Sequence, residues 1–320
     1  RASLESLAWL RRLVEHRQVS AAIRVPRGDT APLEGIPDLA LREERVPNLD
    51  VNRHFICDTG RADYRWMNRG DRAEVPLKRD GQRMAPVDWD AAAAELAALA
   101  QGNGPVVLLA SGRASLESLA WLRRLVEHRQ VSAAIRVPRG DTAPLEGIPD
   151  LALREERVPN LDGARLAGYD ASWNDALAGA ESASLVILLD VELEDGELSR
   201  VGKSAALVAL TTLDDDRLKG AALLLPVTSM AEEHGSYVNR SQRVQRYLQA
   251  KAAPGMARPA WWVAAEAWAL AGTGRSAPET AAAAFARLAE SIPALGGMAY
   301  GDLGLTGRVL EPAAARSAAR

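Results

Sequence analysis

Ser184-Leu185-Val186-Ile187-Leu188-Leu189 (SLVILL) decides the fold class of this 320-residue chain. The run is apolar on both faces, so as a strand it has no side for water and belongs in a sheet covered from above and below. Val106–Ala110 (VVLLA), Ala133–Val137, Ala205–Leu210 (AALVAL) and Ala221–Leu225 (AALLL) share the property. Helical patterns at Ser115–Arg129 and Trp173–Gly179 separate these runs. Strands without alternation, interleaved with helices, predict an α/β domain: a doubly wound, mostly parallel sheet.

Working outward from that core, Asp88 or Asp90 is suited to cap a helix over Ala91–Leu99, which Gly102-Asn103-Gly104-Pro105 ends before the strand at Val106. Residues 51–88 are polar and turn-rich, the composition of a small irregular or β N-terminal part. After Pro226 an irregular polar stretch is expected to Tyr247, followed by helices near Trp261–Ala271 and Glu279–Glu290 and a mobile Gly/Ala-rich tail. The expected divisions are therefore 51–88, an α/β domain over 89–250 and a helical C-terminal part over 251–320.

A repeat lies across this plan. Arg1–Asp50 recurs without one change as Arg113–Asp162. Solenoid repeats are short, numerous and diverged, so an identical pair fits a very recent duplication or a false join better. The second copy follows a strand and continues a strand-turn-helix unit. The first has no leading strand, although Leu4, Leu7, Leu10 and Leu13 give it a helical apolar face. Residues 1–50 are expected to be an artefact or an unpacked segment.

Thirty-nine basic against 42 acidic residues leave a net charge of −3, which makes no electrostatic case for nucleic acid or an anionic membrane surface. The lone Cys57 excludes an internal disulfide framework and any four-cysteine metal site built by this chain alone. No apolar run approaches a bilayer span; the most apolar helical stretch, from Pro259, is interrupted by Glu266. With no basic-then-apolar leader, the expectation is a cytoplasmic fragment.

Several motifs fail on spacing. Gly202-Lys203-Ser204 resembles the end of a phosphate loop, but position 197 is Glu197 where glycine is required, and a strand-like run follows where a helix should begin. The glycines of Gly301–Gly307 follow no strand. The acidic groups Glu192–Asp195 and Asp214–Asp216 lack the alternating oxygen spacing of a calcium loop and read as solvated turns. No serine sits in a nucleophile elbow.

Two segments carry specific information. They are Val51–Trp66 (VNRHFICDTGRADYRW) and Ala222–Tyr247 (ALLLPVTSMAEEHGSYVNRSQRVQRY). Through Cys57-Asp58, Gly60-Arg61, Trp66, Asn68 and Pro76-Leu77 in the first, and Leu225-Pro226, Ala231-Glu232, Gly235-Ser236, Asn239, Arg243 and Gln245 in the second, the chain resembles the G subunit of bacterial NADH-quinone oxidoreductase (respiratory complex I). That family lies within the molybdopterin oxidoreductase superfamily. Ser236 stands where the pattern has Thr, and Ser241-Gln242 where it has Glu-Gly. The resemblance runs from residue 51 to about 270 and leaves out the first copy of the repeat.

The resemblance implies that Cys57 is the last ligand of a ferredoxin-like cysteine quartet holding a 4Fe-4S cluster, flanked by Arg53, Arg61 and Arg65. Without its three partners it is an orphan ligand, and its plain reading is a half-buried thiol. Gly235, Asn239, Arg243 and Gln245 correspond to a loop that wraps a pterin-phosphate cofactor in catalytic relatives; here they imply a vestigial loop, with Arg243 expected on Glu232 or Glu233. No cofactor is expected on this chain as given. The implied function is a piece of the G subunit that scaffolds the peripheral arm of complex I, on the cytoplasmic side of the membrane, beside other peripheral-arm subunits. The alternatives are a catalytic molybdenum enzyme of the formate dehydrogenase or nitrate reductase type, and a non-redox α/β interaction module.

Overall fold

A computed structural model describes residues 51, 65–140, 142, 155–272 and 274–311. The first copy of the repeat, His54 and Cys57 lie outside the described residues. Tyr64–Arg320 forms one compact unit.

Its centre is a seven-stranded sheet. The strands are β1 (Leu77–Asp80), β2 (Arg83–Pro86), β3 (Val106–Ser111), β4 (Val131–Arg136), β5 (Leu185–Leu189), β6 (Leu207–Thr211) and β7 (Leu223–Pro226), in the order β2-β1-β7-β6-β5-β3-β4. From β7 to β4 every pairing is parallel, and all five predicted runs are among these strands. The β1–β2 hairpin joins β7 antiparallel, so the sheet reaches back into residues expected to be irregular or short edge strands.

Double coverage explains the missing alternation. Val106, Leu108, Ala110, Leu185, Ile187, Leu189, Val208 and Leu210 enter one apolar cluster, whereas Val107, Leu109, Val186, Leu188, Leu207 and Ala209 enter another. Successive side chains point to opposite faces of a strand, so both faces of β3, β5 and β6 are dry. On the first face lie helices α1 (Trp89–Ala100), α2 (Leu116–Leu125) and α3 (Leu161–Leu166). The second carries α4 (Trp173–Ala180) and α5 (Asp195–Val201). Helices α6 (Ala260–Leu270) and α7 (Ala281–Ser291) complete the first face, with Trp121 of α2 meeting Trp268 of α6 edge to face at 5.6 Å.

Local chemistry fixes the helix starts. The Asp88 carboxylate accepts from the Ala91 N–H at 2.8 Å, Ser115 from Ser118 at 3.1 Å and Ser172 from Asp175 at 3.1 Å, each satisfying an N–H that the helix itself leaves open. At the other end of α1, Arg129 donates to the carbonyls of Leu99, Ala100, Asn103 and Gly104, a cation placed where the helix dipole is negative. Gly202-Lys203-Ser204 ends α5 and precedes β6, so it stands at a helix C-terminus and offers no phosphate loop.

Two expectations are corrected. The polar stretch before Tyr247 is ordered: β8 (Gly235–Val238) and β9 (Arg243–Tyr247) form an antiparallel hairpin, extended by β10 (Arg308–Val309) into a second, three-stranded sheet. Its polar composition reflects a sheet with little apolar surface of its own; only Val238 and Val244 are fully buried aliphatic residues there. The Gly/Ala-rich tail is likewise packed as far as Leu310, because Leu295, Tyr300, Leu303 and Leu310 each drop into the first-face core; residues 312–320 lie outside the described residues. Glycine content hid a few well-spaced anchors. Leu303→Ala is accordingly expected to lower the unfolding free energy by about 3 kcal/mol, read from the midpoint of a urea titration, where a loose tail would give almost no change.

Candidate functional site

The chain order creates a crevice. After β3 the chain goes to β4 on one side, then crosses back to β5 on the other, so connections leave the carboxyl ends of β3 and β5 in opposite directions. Ligand sites of open α/β sheets form at such a switch point. Here the crevice is lined by Trp66, Arg113, Ser115, Asp190, Ser229 and Glu233, among others.

Asp190 ends β5 with φ of 46°, a left-handed conformation that costs a non-glycine residue on the order of 1 kcal/mol. Its carboxylate accepts from the Thr212 N–H at 3.0 Å and hydroxyl at 2.6 Å. Burial pushes this carboxyl above the usual range, against the opposing Thr212 bonds. Across the crevice, Arg113 stacks over Trp66 at 5.2 Å.

At and behind the crevice lie buried acids, one of which, Glu117, no motif in the sequence singles out. Glu117, fully buried in the first turn of α2, accepts from the Ser236 N–H and hydroxyl, both at 2.8 Å. Asn160 does the same service two residues along β8, accepting from the Val238 N–H at 2.9 Å while donating to the Ala114 carbonyl at 2.8 Å. These two side chains satisfy outward N–H groups of the edge strand β8 and so attach the hairpin to α2. Glu233 accepts from the hydroxyls of Tyr247 and Thr228, each at 2.8 Å. Burial pushes Glu117 up to about 8, and its donors and the nearby Glu233 only modify that. Glu233 is raised by burial to about 7.

Glu232, one residue earlier, is in the opposite situation. Arg72 grips it bidentately at 2.7 Å through both Nη atoms, the Ser229 N–H adds a bond at 2.8 Å, and Lys251 lies at 3.3 Å. Burial alone would raise this carboxyl, but the arginine and the N–H outweigh it and hold it below its ordinary value.

The four pterin-type residues come together on the β8–β9 hairpin, yet none lines the crevice. Asn239 accepts from the N–H groups of Ser241 and Arg243 and donates to Gln245 at 3.2 Å, which closes the hairpin turn. Arg243 does not pair with Glu232 or Glu233. Its Nη1 donates to the Thr306 carbonyl at 3.1 Å and the Gly307 carbonyl at 3.5 Å, because register places it opposite β10, whereas both acids face α2 and Arg72. A Cβ on Gly235 would sit 2.5 Å from the Tyr247 hydroxyl and 2.9 Å from Ser115 Cβ, so this glycine allows close packing within the protein. As arranged, this residue set does not fit a pterin phosphate. Among the described residues no group of His, Cys, Asp and Glu is placed to hold a metal ion.

The missed signal was local. Glu117 and Ser118 interrupt the apolar run that opens α2, LESLAWL, and a charge inside such a run must find buried donors. Where those donors lie, 119 residues on, could not be read from the helix.

Residues 151–267 match the family model for molybdopterin oxidoreductase, a match to part of the α/β domain. The chain is also similar to the G subunit of NADH-quinone oxidoreductase. It is 31% identical to the Pseudomonas putida protein over 205 residues, covering 58% of this chain and 22% of that relative, and 30% identical over 158 residues to the Salmonella typhimurium protein, covering 46% and 16%. The matches thus span about a fifth of the relatives' length or less. Acetylene hydratase from Pelobacter acetylenicus shares the fold, with a TM-score of 0.50 at 9% identity over 84% of this chain and 71% of that one.

Two outcomes test the geometry. Arg72→Met or Glu232→Gln alone should cost about 3 kcal/mol, since each strands a buried charge or its donors; in a double-mutant cycle by urea denaturation the losses should be well short of additive. Arg243→Ala should raise hydrogen exchange across residues 304–310 several-fold and leave β5 and β6 unchanged.

Proposed function

We propose that this chain is the molybdopterin-oxidoreductase-like portion of a G subunit of NADH-quinone oxidoreductase, and that its work is structural. It scaffolds the peripheral arm of the complex beside other peripheral-arm subunits, on the cytoplasmic side of the membrane. The observation that carries this reading is the fate of the motif: Asn239, Arg243 and Gln245 are bonded within the hairpin and to the 306–307 carbonyls, away from the crevice. A scaffold needs those bonds, whereas a catalytic relative needs the same groups turned toward a cofactor. Gly235, Asn239, Arg243 and Gln245 are on this reading a vestigial loop. Cys57 supplies one thiolate of the four that an iron-sulfur cluster takes, and the other three would come from the longer protein.

A peripheral place agrees with the described helices, none of which is long and apolar enough to cross a membrane. The test is assembly. Expressed with the other peripheral-arm subunits, the tagged chain should retain them through size exclusion, and purified samples should contain neither molybdenum nor tungsten. Reduction of an artificial acceptor by formate, abolished in Arg243→Ala, would overturn the scaffold reading.

A further inference from the structure

The buried acids behind the crevice are the largest feature that scaffolding leaves unused. Glu117 and Glu233 are both inside the protein, and among the described residues each is held only by neutral donors: an amide and a hydroxyl of Ser236 for one, the Tyr247 and Thr228 hydroxyls for the other. The neighbouring Glu232 shows what a charge in this region requires, a bidentate arginine. Among the described residues the nearby cations are committed elsewhere: Arg72 to Glu232, Arg113 to the Trp66 face, and Arg246 to the Gly304 carbonyl and the Tyr300 ring. His234 is exposed, with Nδ1 accepting from the Gln249 N–H. Of the remaining titratable neighbours, Asp190 disfavours a further negative charge, whereas Tyr237, Tyr247 and Tyr300 are kept neutral by burial and offer no cation.

We propose that Glu117 and Glu233 form a buried proton-binding site, and that the proton they hold near neutral pH fastens the β8–β9 hairpin to the start of α2. Neutral acids suit these partners. A protonated Glu117 donates from one oxygen to the Ser236 hydroxyl and accepts the Ser236 N–H on the other, so both bonds survive without a buried charge. Gly235, between Ser115 at the start of α2 and the Tyr247 hydroxyl, lets the hairpin and the helix start close into a tight seam. Loss of the proton leaves a buried anion with no cation beside it among the described residues and a second carboxyl nearby, and the seam is where that cost is relieved. Burial places the transition within reach of ordinary pH, with Glu117 raised to about 8 and Glu233 to about 7. Both folded values lie above the ordinary 4.5 of an exposed glutamate. The stabilisation is therefore full below that value, declines as pH rises, and is lost once pH passes about 8.

Hydrogen exchange and infrared spectroscopy on the whole chain test this. In the wild type, peptides covering 232–248, corrected for intrinsic exchange, should lose protection by about tenfold or more between pH 7 and pH 9, while β5 and β6 hold theirs. Glu117→Gln, which keeps one acceptor and one donor without ionising, should flatten that profile; Glu233→Gln serves the same purpose should the first variant not fold. The carbonyl stretch of un-ionised carboxyl groups should be present at pH 6, fade through pH 7 to 8, and be reduced in either variant. Absence of that band at pH 6, or an exchange profile that both glutamine variants leave unchanged, would overturn the proposal.

Discussion

The tertiary arrangement depends on the bond between the Glu117 carboxyl and the Ser236 backbone and hydroxyl. A buried edge strand presents N–H groups that must find acceptors, and among the described residues β8 has no strand beyond it. Glu117 and Asn160 supply oxygens at the two-residue spacing of those N–H groups, at Ser236 and Val238. Because Glu117 lies in the first turn of α2, immediately after β3, this contact ties the small sheet to the crevice end of the large one. It also fixes Gly235 against Ser115.

Buried acids are treated in two ways within three residues of sequence. Glu232 keeps its charge because Arg72 meets it with matched geometry and the Ser229 N–H adds a third donor. Glu233 and Glu117 have hydroxyls and an amide instead, and burial favours their neutral form. The first arrangement joins the segment before β1 to the loop after β7, where a lost partner leaves a stranded charge. The second makes the attachment of the hairpin depend on a proton.

Crevice and motif are separate in this protein. The crevice lies where the chain reverses direction about β3, with the strained Asp190 and the Arg113–Trp66 stack at its mouth. The motif residues lie on the hairpin beside it and bond to one another and to the 304–307 turn. A loop of ligand-binding type serves equally well as a turn once its asparagine and arginine find acceptors in the chain. That is the physical content of the scaffold reading.

The sequence by itself determined the parallel sheet, because runs such as VVLLA and SLVILL can be satisfied only by burial on both faces, a property of the residues and not of their neighbours. The helix starts are equally local, since Asp88 (one of the two caps offered with Asp90), Ser115 and Ser172 bond within three residues, although no cap was read at Ser172. The resemblance rested on residues read in order along the chain, and the family comparison meets it. Tertiary structure decided everything that rests on distant partners. The hairpin and the tail looked irregular because their order comes from Glu117, Asn160, and a few anchors such as Tyr300 and Leu303. Arg243 went to carbonyls 63 and 64 residues away, not to the acids nearest in sequence, because strand register and not chain proximity sets which groups meet.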